Sequence, residues 1–132
     1  MPSLTLLDTE FATLKFHPDS GIIHHEFHKF IFGEAFRAVL SKGAEAMEKH
    51  QATKWLSDDR KNNALPQDDA EWAMTTWSTR TLAAGWKYWA VVLPQKVLGQ
   101  MNMQRFIDMY KQRGLEVRVF SDSGERKRSA RW

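Results

Sequence analysis

From Ile22 onwards the hydrophobic period of the chain switches back and forth between about two residues and about 3.6. Short apolar-centred stretches at 22–28, 53–57, 88–93 and 115–119 are separated by longer ones with helical spacing. Strands that alternate with helices of this length need crossover connections, and such crossovers are right-handed. The pattern therefore predicts an α/β fold. The expected architecture is a mixed, mostly parallel sheet of about five strands after an N-terminal β-hairpin, with helices packed on it.

The hairpin is read from 11–16 and 22–28, joined by His17-Pro18-Asp19-Ser20-Gly21, where proline presets φ and glycine accepts a positive one. A short strand near 4–7 precedes it. Phe32, Phe36, Val39, Leu40, Gly43 and Met47 share one face of a helix over 34–49. A second helix is predicted over 67–84, with Asp68, Asp69 and Glu71 near its positive end, Gly85 as its stop, and Ala70, Ala73, Met74, Trp77, Thr81 and Ala84 facing inward. Trp72 points nearly the opposite way, which suits it to cover the preceding loop or to make a homodimer contact. The unalternating run Tyr88-Trp89-Ala90-Val91-Val92-Leu93 reads as a strand buried on both faces. After a connection over 97–101, Asn102 is the expected cap of a third helix carrying Met103, Phe106, Ile107 and Tyr110, and a half-covered edge strand follows. Residues 121–132 are expected to form a short terminal helix with Trp132 tucked inward.

At 132 residues, the length fits a single domain spanning 1–132, with room for a core that needs no covalent staples. The absence of cysteine excludes disulfides, thiolate metal sites and cysteine nucleophiles. Residues 1–8 lack a basic region followed by an apolar core, and no apolar run reaches the roughly 18 residues of a transmembrane segment, so a cytoplasmic protein is expected. The formal charge of +3 is concentrated in Arg126, Lys127, Arg128 and Arg131, which leaves the body near neutral. Such a tail gives only a weak, salt-sensitive attraction to nucleic acid or acidic lipid, and no nucleic-acid partner is expected.

The runs WLSDDRKNNALPQDDAEW, YWAVVLPQKVLGQM and GLEVRVFSD together resemble the uncharacterised bacterial proteins described as STAS-like or SpoIIAA-like. The likeness covers nearly the whole chain and is strongest from Trp55 onward. It implies a STAS-like sheet with helices packed on it, and it implies no particular activity. The chain departs from the family pattern at Asp59, where asparagine is common, at Pro66, where a serine cap is expected, and in its basic ending. In sporulation regulators of this fold a serine after an inner strand is phosphorylated. Ser57 lies near that place, although its neighbours do not match their motif.

The polar run that follows Trp55-Leu56 falls at the C-terminal end of an inner strand, where open α/β sheets place their ligands. Ser57, Asp58, Asp59 and Arg60, with Trp72 and Met101, are the candidate ligand- or partner-binding residues. Asp58 and Arg60 can equally pair locally and organise the loop. Aromatic residues and methionines near the strand ends suit an apolar, lipid-like ligand. The expected function is thus a non-enzymatic STAS-like module, a homodimer, that binds a regulatory partner protein or a small apolar ligand without a cofactor. The alternative is a hydrolytic enzyme, metal-assisted through His24, Glu26 and His28 on one strand face, or acid–base through Asp58 and Asp59. Met103 joins Met101 in the apolar-ligand reading, whereas His25 points away from His24 and His28 and carries no role in either.

Overall fold

A computed structural model of the chain describes residues 2–121. The terminal helix expected over 121–132, and Trp132 with it, therefore falls outside the described residues save for Ser121. The strands are β1 (Leu4–Asp8), β2 (Ala12–His17), β3 (Ile22–Phe27), β4 (Lys54–Asp58), β5 (Tyr88–Val92) and β6 (Glu116–Phe120). They form one six-stranded sheet in the order β1-β2-β3-β4-β5-β6. The first three strands pair antiparallel and β3 to β6 pair parallel, so the expected hairpin, β2–β3, is part of the sheet itself.

Three helices make the crossovers. Helix α1 (Gly33–His50) joins β3 to β4, and α3 (Val97–Gln112) joins β5 to β6. Between them, α2 is a composite of an α segment (Gln67–Trp72), a π segment (Ala73–Trp77) and a second α segment (Ser78–Ala83). Crossovers of one hand that always step to the next strand place their helices on the same side of the sheet. The main core bears this out: Ile23, Trp55, Trp89 and Val91 from alternate strand positions pack with Phe36, Val39, Ala70, Trp77, Phe106 and Tyr110 from the helices. The opposite strand parity forms a small second cluster, Ile22, Leu56, Ala90, Val92 and Phe120. β5 is buried from Trp89 to Val92, and β6 is an edge strand, as the sequence predicts.

Two positions depart from the sequence reading. Helix α3 begins at Val97 rather than after Asn102, which lies inside the helix and accepts the Leu65 N–H at 3.1 Å. Its start is set by packing: a Cβ at Gly99 would lie 2.7 Å from Pro94 Cβ and 3.2 Å from the Asn63 carbonyl carbon, so only glycine lets the first turn sit there. Trp72, expected to point away from the inward stripe, packs against the core beside α1. Its ring stands edge-on to Phe36 at 6.3 Å between centroids, and the Arg37 guanidinium lies over it at 5.3 Å. The π segment explains this: the Ser78 N–H bonds to the Ala73 carbonyl, five residues back, and that wider turn carries Trp72 round towards α1.

Helix α1 has no side-chain cap of its own at Phe32. Asp69 of α2 supplies one across the interface, accepting the Gly33 N–H at 2.7 Å and the Arg37 Nε–H at 2.9 Å while itself buried. An acid that the sequence places on its own helix dipole thus serves a neighbouring helix instead.

Candidate functional site

Strand alternation decides which groups of the run after Trp55 meet. Trp55 and Ser57 turn towards the helices, whereas Leu56 and Asp58 turn to the other face. Asp59, just past the strand end, comes back to the helix side, and so does His25 of β3, which pairs in register with Ser57. The Trp55 Nε1–H donates to His25 Nδ1 at 3.0 Å, and His25 Nε2 meets Asp59 Oδ1 at 2.7 Å, all three buried. An indole nitrogen can only donate, so the network assigns the imidazole proton to Nε2, which donates to the carboxylate. On the neighbouring strand the Trp89 Nε1–H donates to Ser57 Oγ at 2.9 Å.

These groups border a cavity beneath the C-terminal ends of β3, β4 and β5, with room of about 50 Å³ for the centres of water-sized molecules. Its walls are mainly aromatic: Trp55, Trp77, Trp86, Trp89, Phe106 and Tyr110. The rings meet edge to face, with Trp55–Trp77 and Trp77–Trp86 centroids 5.2 Å apart and Trp86–Tyr110 4.8 Å apart. Ala73 and Trp77, the two ends of the π segment, line one side, and Asn63 and Leu65 of the loop after β4 lie at the rim. π segments occur often at functional sites, because they trade regular hydrogen bonding for a changed face.

Each of the four indole N–H groups has an acceptor: His25, Ser57, the Leu40 carbonyl for Trp77 at 2.7 Å and the Tyr88 carbonyl for Trp86 at 3.0 Å. The Tyr110 hydroxyl is the exception. It is buried and, among the described residues, the one buried side-chain polar atom with no hydrogen-bond partner. Burial pushes its pKa well above the ordinary 10.0, so it remains a donor at any physiological pH. Ser57 accepts from Trp89 and keeps its own proton to donate.

Ser57, His25 and Asp59 stand in one pocket without forming a nucleophilic triad. The imidazole nitrogen that would serve as base is occupied by the Trp55 indole, and the other is bound to Asp59. Asp58 is bound to Arg60 through two contacts of 2.9 Å on the opposite strand parity, so the adjacent aspartates do not share a site. The hairpin histidines also diverge: His24 contacts His17 at 3.0 Å and His28 contacts the Thr13 hydroxyl at 2.7 Å. Among the described residues no three histidine, aspartate or glutamate side chains gather closely enough to hold a metal ion. Ser57 is within β4 and buried, not on an accessible loop. Met101 is exposed on the outer side of α3, while Met103 reaches the cavity.

Sequence reasoning thus finds Ser57 and Asp59 and passes over His25 and Tyr110. A signal for His25 is present: it shares parity with Ile23 and Phe27, and a histidine in an apolar strand face needs buried partners. Compared with protein-family models, curated proteins and solved structures, the chain matches none. No helix among the described residues is long and apolar enough to cross a membrane.

Proposed function

We propose that this chain is a non-enzymatic STAS-like binding module whose aromatic cavity takes a small, largely apolar molecule bearing one acceptor oxygen. The observation that carries the reading is the Tyr110 hydroxyl, a donor without a protein partner in a pocket where every indole N–H is satisfied. Buried polar atoms are nearly always paired, and an unpaired one on a residue that lines a cavity points to a ligand group. The Ser57 proton is a second donor at the same cavity. The room of about 50 Å³ exceeds the ~10–15 Å³ that one water needs and falls short of the ~150 Å³ that accommodates benzene. The buried part of the ligand is therefore a few heavy atoms, a short chain or the tip of a longer one. The STAS-like assignment rests on the resemblance of the runs from Trp55 onward and is compatible with a mixed sheet carrying helices on it. The binding reading is favoured over catalysis because both His25 nitrogens are already engaged.

Native mass spectrometry of the purified chain, together with thermal shifts against 2-butanone, cyclopentanone and their alkane counterparts, tests this reading. The ketones should stabilise the wild type more than the alkanes do. Tyr110→Phe should weaken ketone binding about threefold to tenfold, the worth of one hydrogen bond. It should leave the free protein as stable as before, or more stable, since it removes an unpaired buried hydroxyl. Equal responses to ketone and alkane, or a Tyr110→Phe protein that loses more than ~1 kcal/mol in the absence of ligand, would refute it.

A further inference from the structure

Of the large apolar side chains left exposed among the described residues, most lie at one end of the molecule. Phe30 and Phe32, 44% and 53% exposed, stand in the connection from β3 to α1 with ring centroids 5.2 Å apart. Val97, Leu98 and Met101, 69%, 66% and 63% exposed, occupy the first turns of α3. Both groups follow C-terminal ends of parallel strands that flank β4, two strand spacings or ~10 Å apart. The loop after β4 ties them into one rim. Asn62 Oδ1 accepts the Ile31 N–H at 3.1 Å, the Gln95 N–H donates to the Arg60 carbonyl at 3.1 Å, and the Leu65 N–H donates to Asn102 Oδ1.

The charges of these connections are one-sided. Residues 28–32, 59–66 and 93–96 carry Lys29, Arg60, Lys61 and Lys96, against one acid, Asp59, which is buried on His25. Glu34 and Asp68 come only in the first turns of the helices that follow. Lys29 pairs with Glu10 and Arg60 with Asp58, which leaves Lys61 and Lys96, exposed and in no ion pair with the described residues, as the cations of the rim. Apolar side chains in water, interleaved with lysines, fit a surface that is apolar beneath and anionic on top. A second copy of the chain fits less well, because a self-contact through this rim would bring lysine against lysine.

We propose that the rim formed by Phe30, Phe32, Val97, Leu98 and Met101 docks on an anionic lipid bilayer, with Lys61 and Lys96 at the headgroups. The inference is independent of what the cavity holds. Vesicle flotation with the full chain tests it, using phosphatidylcholine alone and phosphatidylcholine mixed with phosphatidylglycerol. The protein should float with the mixed vesicles and not with the neutral ones. Lys61→Ala with Lys96→Ala should weaken binding about thirtyfold, from about fivefold per basic residue near the surface. Leu98→Ser with Met101→Ser should abolish flotation and leave the circular dichroism spectrum and Tm unchanged, because both side chains are exposed. The proposal fails if anionic vesicles do not bind at low salt. It fails equally if binding survives both double variants, which would assign it to another basic segment such as 126–131. Light scattering gives a third way to overturn it: a dimer that Leu98→Ser with Met101→Ser dissolves makes the rim a contact between two copies.

Discussion

Replacing Gly43 by alanine sets a local gain against a packing loss, and the structure decides the sign. Gly43 lies in the interior of α1, where alanine is favoured over glycine by ~1 kcal/mol. Its Cα, however, faces the six-membered ring of Trp55, and a Cβ there would overlap that ring, with Cζ3 at 2.6 Å. The ring cannot simply turn away. Its N–H is bound to His25, Trp77 stands edge-on at 5.2 Å, and the side chain is buried to 1% exposure. Overpacking of this kind costs ~1–3 kcal/mol. As the indole is pushed towards the adjoining cavity, His25 Nδ1 also loses its donor, a further ~1–3 kcal/mol for a buried acceptor. The net expectation is a loss of about 2–3 kcal/mol, or a Tm lower by about 8–12 °C at this chain length.

Urea unfolding of four proteins tests the account: wild type, Gly43→Ala, Trp55→Phe and the double variant. On the Trp55→Phe background the overlapping ring is gone, so the alanine should be neutral or should stabilise by up to ~1 kcal/mol. The coupling between the two sites would then be about 2–4 kcal/mol. A Gly43→Ala protein as stable as the wild type would refute the reasoning, as would the same loss on both backgrounds.

Asp69→Ala should destabilise by about 2–3 kcal/mol, because it removes the side-chain acceptor of the Gly33 N–H at the start of α1 and a partner of Arg37. Asp68→Ala, next to it and exposed, should change stability by less than ~0.5 kcal/mol in the same denaturation series. Tyr110 gives an alkaline signature: burial raises its pKa above the ordinary 10.0, so beyond pH 10 the unfolded chain gives up a proton that the folded chain keeps. The unfolded state then binds fewer protons and stability falls with pH, by about 1.4 kcal/mol per pH unit more in the wild type than in Tyr110→Phe. Parallel slopes for the two proteins above pH 10 would mean that the hydroxyl reaches water.

The period of the apolar residues made the strands and helices of the body legible, because each element buries one face, or both faces in the case of β5, against a single core. Features set by distant partners were not legible. Asn102 has the chemistry of a cap, but its Oδ1 is used by Leu65, thirty-seven residues away in sequence. Asp69 has the chemistry of a helix first turn, but its oxygens are used by α1. Trp72 falls off the α-helical stripe, and only the π segment, which no local pattern announced, returns it to the core side. The site was legible as a position. Its chemistry was not, since Asp58 and Asp59, adjacent in sequence, end on opposite sides of the sheet with different partners.

The tryptophans that line the cavity explain why it persists. Aliphatic side chains around a void relax into it, so that little space remains. Here four of the six tryptophans meet around one space, and each is held at its nitrogen by an acceptor. A ring fixed at one end and crossed edge to face by the next cannot swing inward without giving up a buried hydrogen bond. The Tyr110 hydroxyl, buried without a partner among the described residues, costs ~1–3 kcal/mol. Phenylalanine at position 110 would remove that cost without disturbing the ring packing. Local rules of this kind are broken mainly where a site needs them broken. The Tyr110 hydroxyl, buried beside these pinned indoles without a hydrogen-bond partner among the described residues, is the one buried side-chain polar atom there that the packing leaves unsatisfied.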